Sequence, residues 1–160
     1  MTQDQGGVDI SRQGESAGRD AFSRGKIVAF EDFLKNQQRL HVSISSGARI
    51  LDLNGGEGPF SQMLKHNGYV RSLTAKGGEQ FNAVIAMGVL GNMKDDTERK
   101  AKLAEMGQSL MPGGIALVDQ FPGAESLLPI DTEDGHELDF PVGPEASRVV
   151  NGIVLQKHKK

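Results

Sequence analysis

Arg49-Ile50-Leu51-Asp52-Leu53-Asn54-Gly55-Gly56-Glu57-Gly58-Pro59 is a short apolar run that ends in a cluster of glycines. Arg49 to Leu53 is apolar on both faces, the habit of a parallel strand covered by helices above and below. Pro59 suits the first turn of a helix. Phe60, Met63 and Leu64 then form a helical stripe that ends at the C-cap signal Asn67-Gly68. Strand, glycine turn and helix are one half of an α/β unit.

Further along, the same logic finds two more buried strands, Phe81 to Met87 and Ile115 to Val118. Between them a helix is expected from Asp95 to Leu110: Asp95 and Glu98 have capping-box spacing, Leu103, Met106 and Leu110 form the stripe, and Met111-Pro112-Gly113-Gly114 stops it. Phe121 to Ile130 is expected to be loop with a helical turn. Glu137 to Val142 and Val149 to Gln156 are expected to be an antiparallel pair. Upstream, Ile27, Phe30, Phe33, Leu34 and Leu40 share one helix face, and His41 to Ala48 is a loop. Residues 1–24 carry too little apolar surface to offset the entropy of ordering and are predicted to be a disordered tail, which leaves residues 25–160 as one domain. The predicted fold class is α/β, a Rossmann-like doubly wound, mostly parallel sheet of reduced strand number with an antiparallel C-terminal strand pair.

A chain of 160 residues with 37% hydrophobic residues suits one core. The net charge of -3 argues against an electrostatic nucleic-acid binder. Without Cys there is no disulfide, thiolate nucleophile or cysteine zinc site, and a cytoplasmic location is the simpler expectation. No stretch is apolar for the roughly 18 to 20 residues of a membrane span. The four His are far apart in sequence and form no metal pair. Asp131, Glu133, Asp134, Glu137 and Asp139 are dense, but Gly135 is misplaced for a calcium loop, so no metal site is expected.

In open α/β sheets ligands sit beyond the carboxyl ends of the strands. Glycines in the turn after Asp52 let backbone approach a ligand, and the free N–H groups of the next helix favour an anionic group. The phosphate loop of NTPases is ruled out because Pro59-Phe60 stands where Lys and Ser or Thr are needed. A dinucleotide fingerprint is matched weakly, with Ser61 at its last glycine.

The strand, acid and glycine turn resemble motif I of class I S-adenosylmethionine-dependent methyltransferases, whose usual form is LDLGxGxG. Phe81 to Leu90 resembles that family's fourth strand and following turn. Leu110-Met111-Pro112-Gly113-Gly114-Ile115-Ala116-Leu117 resembles its helix end and fifth strand, and the closing strands its antiparallel end. The resemblance covers roughly residues 25–160. It implies S-adenosylmethionine as cofactor, held by Asp52, Asn54, Gly55, Gly56 and Gly58, with Asn54 in place of the family's first Gly because Asn tolerates positive φ. Met87 falls near where the family places the adenosine.

Against the family pattern the middle is shortened. Only Tyr69 to Gln80 separates the first helix from Phe81, and a strand over Val70 to Ala75 would leave five residues for its return. The segment is therefore expected to be a loop or irregular strand at the foot of the sheet. Two expectations follow. The ribose-binding acid has no counterpart, since the positions read Thr74, Ala75 and Lys76, and Glu79 lies at the wrong end. The Arg49 to Leu53 strand becomes an edge, which implies a homodimer or protein partner along that side. Two functions stand nearly level: a methyltransferase of unknown acceptor and catalytic residue, and a non-catalytic methyltransferase-like module for protein interaction or assembly.

Overall fold

The computed structural model describes residues 10–160, with side chains from Phe22 onward. Its elements in chain order are α1 (Ile10–Lys35), α2 (Gln37–Leu40), β1 (Arg49–Asp52), α3 (Pro59–His66), β2 (Val70–Ser72), β3 (Phe81–Ala86), α4 (Asp96–Gln108), β4 (Leu110–Asp119), α5 (Ala124–Leu127), β5 (Ile130–Asp131), β6 (His136–Asp139), β7 (Arg148–Val149) and β8 (Gly152–Lys159). The strands form one sheet in the order β2-β1-β3-β4-β8-β6-β5, with β7 paired to β8. The first three pairings are parallel and those of β8, β6 and β5 antiparallel. This is the mostly parallel α/β sheet with an antiparallel end that the sequence pattern predicts, but with eight strands it is not reduced in number, because the short β2, β5 and β7 join it.

Side chains alternate between two cores. Ile50, Ala83, Ile85, Ile115 and Leu117 pack under α1, α2 and α3, where Phe30 makes edge contacts with Phe60 and Tyr69 at ring separations of 5.9 and 5.6 Å. Leu51, Val84, Ala86, Ala116 and Val118 face α4 and α5 on the other side. Burial on both faces is what made the strands legible as continuous apolar runs. The Asp95 carboxylate accepts the Glu98 N–H at 2.8 Å, the cap that the spacing predicts for α4.

Several boundaries differ from expectation. Helix α4 stops at Gln108 because Leu110 already pairs with Phe81, so Met111 to Gly114 lies inside β4 as an irregularity of the ladder. The run from Val149 is broken at Asn151, whose φ of 65° turns β7 into β8 as a hairpin. Helix α1 begins at Ile10, so the segment assigned to a disordered tail is helical from there; residues 1–9 lie outside the described residues. At the end of that segment Ser23 Oγ accepts the Phe60 N–H, and just beyond it Lys26 donates to Asp52.

The largest correction concerns β2. It pairs in parallel with β1 (Arg49↔Val70, Ile50↔Arg71, Leu51↔Ser72), so Arg49 to Leu53 is not an edge, and the basis for a homodimer or partner along that side is gone. The strand is short. Ending at Ser72, it leaves residues 73–80 for the return, and eight residues span roughly 26 Å, enough to reach the foot of the sheet without a helix. There Arg49 is tied to the Glu79 carboxylate and donates to the Gln80 carbonyl at 3.1 Å.

The antiparallel end has its own buried charge. The Lys157 side chain is fully buried and donates to the Leu110 carbonyl at 2.8 Å and the Asp134 carboxylate at 2.7 Å. Hydrogen bonds from Lys157 and then from the Thr132 hydroxyl hold the Asp134 carboxyl well below the usual carboxylate range. A depressed carboxyl contributes stability that is fully present above its unfolded pKa of about 3.9 and is lost as the pH falls toward the folded value. Asp134→Asn is therefore expected to lower the Tm at pH 7, and its deficit against the parent should shrink as melts are repeated from pH 5 down to pH 2. A deficit independent of pH would contradict the ion pair.

Candidate functional site

From β1 the chain crosses to β2 on one side, and from β3 it crosses to β4 on the other. The carboxyl ends of β1 and β3 therefore flank a topological switch point, the place where open α/β sheets hold ligands. One lip of this crevice is the glycine turn after β1. The other is the turn after β3.

Asp52 closes β1 and is 1% exposed. Its Oδ1 accepts from Lys26 Nζ of α1 at 3.2 Å, and its Oδ2 from Arg71 Nε of β2 at 2.9 Å. Arg71 also donates to the Gly56 carbonyl at 2.7 Å, so one guanidinium braces the acid and the turn together. Asn54 takes a φ of 58°, the left-handed conformation expected of the residue that replaces glycine. At Gly55 a Cβ would lie 2.2 Å from Asp52 Oδ2, while at Gly56 it would meet nothing within 4 Å. The Gly58 N–H donates to Ser61 Oγ at 3.2 Å, and the Phe60 N–H to Ser23 Oγ of α1 at 2.8 Å. Two amides at the start of α3 are thus already satisfied from within the chain.

The second lip is set by Asp119, the last residue of β4. Its carboxylate accepts from the Val89 and Leu90 N–H groups at 3.2 Å each and from Gly91 at 2.7 Å. A Cβ on Gly91 would sit 2.6 Å from the same carboxylate, which accounts for glycine there. Arg99 of α4 braces the turn from outside through the Leu90 carbonyl at 3.0 Å.

Asp52, Asn54, Gly55 and Gly56 are brought together, with Phe22, Ser23 and Lys26 of α1 over them, around a cavity of about 150 Å³. Gly58 caps α3 at the rim of the turn. Met87 is placed elsewhere, 5% exposed and packed among the core residues toward Gly152. Glu79 lies at the foot beside Arg49, away from the crevice. S-adenosylmethionine fits this site only in part. The open face at Gly56 would admit a close ligand, but small-molecule sites usually measure roughly 300 Å³ or more, and α1 leaves half of that. Larger cavities lie elsewhere: about 590 Å³ between residues 73–79 and the end of α4, and about 440 Å³ beyond β4 between Phe121, Phe140 and Arg148.

Sequence reasoning did not find Lys26, Arg71 or Asp119 as site residues. Lys26 stood just ahead of the expected helix and Arg71 in an expected loop or irregular strand, with no local signal linking either to Asp52. Asp119 did carry a signal, an acid closing a buried strand just as Asp52 does. Glu137, Asp139 and His158 also meet across β6 and β8, their carboxylate and ring atoms all within 4.8 Å, and Glu137 and His158 pair at 3.3 Å.

Solved structures share this architecture. DesVI of Streptomyces venezuelae aligns with a TM-score of 0.50 at 16% identity over 82% of this chain and 68% of its own. CalS10, a SAM-bound amino pentose methyltransferase from Micromonospora echinaspora, aligns at 0.45 and 18% over 86% and 69%. A TehB-like SAM-dependent methyltransferase from Corynebacterium glutamicum gives 0.46 and 19% over 95% and 100%. The chain shares the Rossmann-like α/β fold of the first of these structures. No family model and no curated protein matches it.

The two glycines of the turn should behave differently. Gly55→Ala forces a methyl group into the Asp52 carboxylate and is expected to cost about 1–3 kcal/mol, whereas Gly56→Ala, facing open space, should stay within about 0.5 kcal/mol of the parent. Urea titration of both variants measures the difference, and equal stabilities would refute the packing described for the turn.

Proposed function

We propose that this chain is an S-adenosylmethionine-dependent methyltransferase acting on an acceptor that its sequence does not name. The observation that carries the proposal is the glycine turn itself. Asp52 ends a buried parallel strand, Asn54 takes the left-handed conformation, Gly56 faces open space, and all three stand at the switch point of the sheet. S-adenosylmethionine is the cofactor assigned, with Asp52, Asn54, Gly55 and Gly56 as its holding residues and Gly58 at the rim. The chemistry it supplies when bound is an activated methyl group, so the protein's task is chiefly positioning, and the lack of an obvious general base is no obstacle.

Relative to the family pattern we read the middle of the chain as shortened: only α3, the three-residue β2 and residues 73–80 stand between β1 and β3, and no acid lies at the end of β2 to hold ribose hydroxyls. Affinity is accordingly expected to be modest. Among the described residues no helix is long and apolar enough to cross a membrane, and the lack of Cys suits a reducing cytoplasm. A non-catalytic assembly module loses one of its two supports, because the β1 edge is paired by β2, and no observation favours the other, a partner in the cleft.

Calorimetric titration of the full chain with S-adenosylmethionine and S-adenosylhomocysteine tests the proposal. Binding in the micromolar to high-micromolar range is expected, together with a rise in Tm that grows with ligand concentration. No heat and no Tm shift at millimolar ligand would overturn it.

A further inference from the structure

Helix α1 has two anchorages of different kinds. Ala29, Phe30 and Phe33 are fully buried in the core beneath it. Phe22, Ser23 and Lys26 instead lie over the crevice. The Phe22 ring reaches to 3.0 Å from the Cβ position of Gly88, a residue of the second lip with φ 75°. Ser23 Oγ takes the Phe60 N–H at the first lip, and Lys26 Nζ takes one oxygen of Asp52 while resting 5.0 Å from the Phe22 ring and 5.3 Å from that of Phe60. One oxygen of Asp52 and the Phe60 N–H are thus met by side chains of a single turn of α1, while Phe22 of the same turn covers Gly88. What is left is the cavity of about 150 Å³.

We infer that the turn Phe22 to Lys26 is an intramolecular plug of the crevice, and that a ligand enters only when this part of α1 unwinds from the lips; the identity of the ligand rests on the function proposed above. The break falls at Gly25. A Cβ there would find nothing nearer than Asn151 Nδ2 at 4.0 Å, so no packing requires glycine, while glycine in a helix interior weakens it relative to alanine. Opening does not strand the buried acid. Arg71, 7% exposed and bound to both Asp52 and the Gly56 carbonyl, stays behind as its counter-ion, whereas Lys26 has a long side chain that can turn out to water once Phe22 leaves. Phe22 is 43% exposed, so its departure uncovers little that is not already wet.

Native-state hydrogen exchange on the full chain tests this without any ligand. The amides of residues 22–26 are expected to exchange at least tenfold faster than those of Ala29 to Phe33, and Gly25→Ala should slow that opening about fivefold by strengthening the helix. Exchange of residues 22–26 only together with Ala29 to Phe33 would overturn the plug. A second arm uses S-adenosylhomocysteine as probe. It should speed exchange at residues 22–26 while protecting Asn54 to Phe60, and Phe22→Ala, folded by circular dichroism, should bind it about tenfold more tightly than the parent. Unchanged or weaker binding by a folded Phe22→Ala would overturn the plug. Should the probe bind neither protein, the methyltransferase assignment falls, and the exchange pattern still decides whether the crevice is plugged.

Discussion

A carboxylate buried between two cations organises one half of this molecule. Asp52 has almost no access to water, and removing one partner of a buried ion pair typically costs about 3–5 kcal/mol because the remaining charge is left uncompensated. Arg71 supplies a standing counter-ion from β2, and Lys26 a second cation from α1. Arg71 can reach the acid only from a strand beside β1, which accounts for the presence of β2 despite its three residues and its exposed Val70. Lys26 can reach it only if α1 crosses the end of β1. Gly55 must lack a side chain because the acid fills its space. One constraint thus sets an edge strand, the path of a helix and a residue type in the turn.

Asp119 repeats the device at the neighbouring strand end, with three backbone amides in place of two side-chain cations. The two carboxylates hold the lips of the crevice in fixed shape. Most of their oxygens are consumed in doing so, and the backbone, above all at Gly56, is left to face a ligand. A site of this kind recognises through shape and amide direction more than through free charge.

Much of the fold was legible because burial on both faces writes itself as unbroken apolar runs: Ile50-Leu51, Ala83 to Ala86 and Ile115 to Val118 could hardly be surface segments. The Asp95 cap and the Asn54 turn were legible too, since both rest on local chemistry. What escaped was long-range. Val70-Arg71-Ser72 has no apolar alternation, and its strand character comes from a guanidinium meeting an acid nineteen positions earlier. The contacts of Ser23 with the Phe60 N–H and of Lys26 with Asp52 are long-range and polar, and no local pattern announces them. Met87 was placed near the ligand by position in the run, yet one residue's difference in alternation sends it to the core and leaves Gly88 at the crevice.

The two buried lysines give the molecule a chemical signature. Lys26 and Lys157 are 4% and 0% exposed, at opposite ends of the sheet, while the amines of Lys65, Lys159 and Lys160 stand among exposed or partly exposed side chains. An amine-directed reagent therefore divides the lysines of the folded chain into accessible and sheltered sets. Lys157 is sheltered by strands on both sides and becomes reactive only with loss of the antiparallel end, whereas Lys26 is sheltered by one turn of helix. Their relative labelling separates a movement at the crevice from unfolding of the sheet.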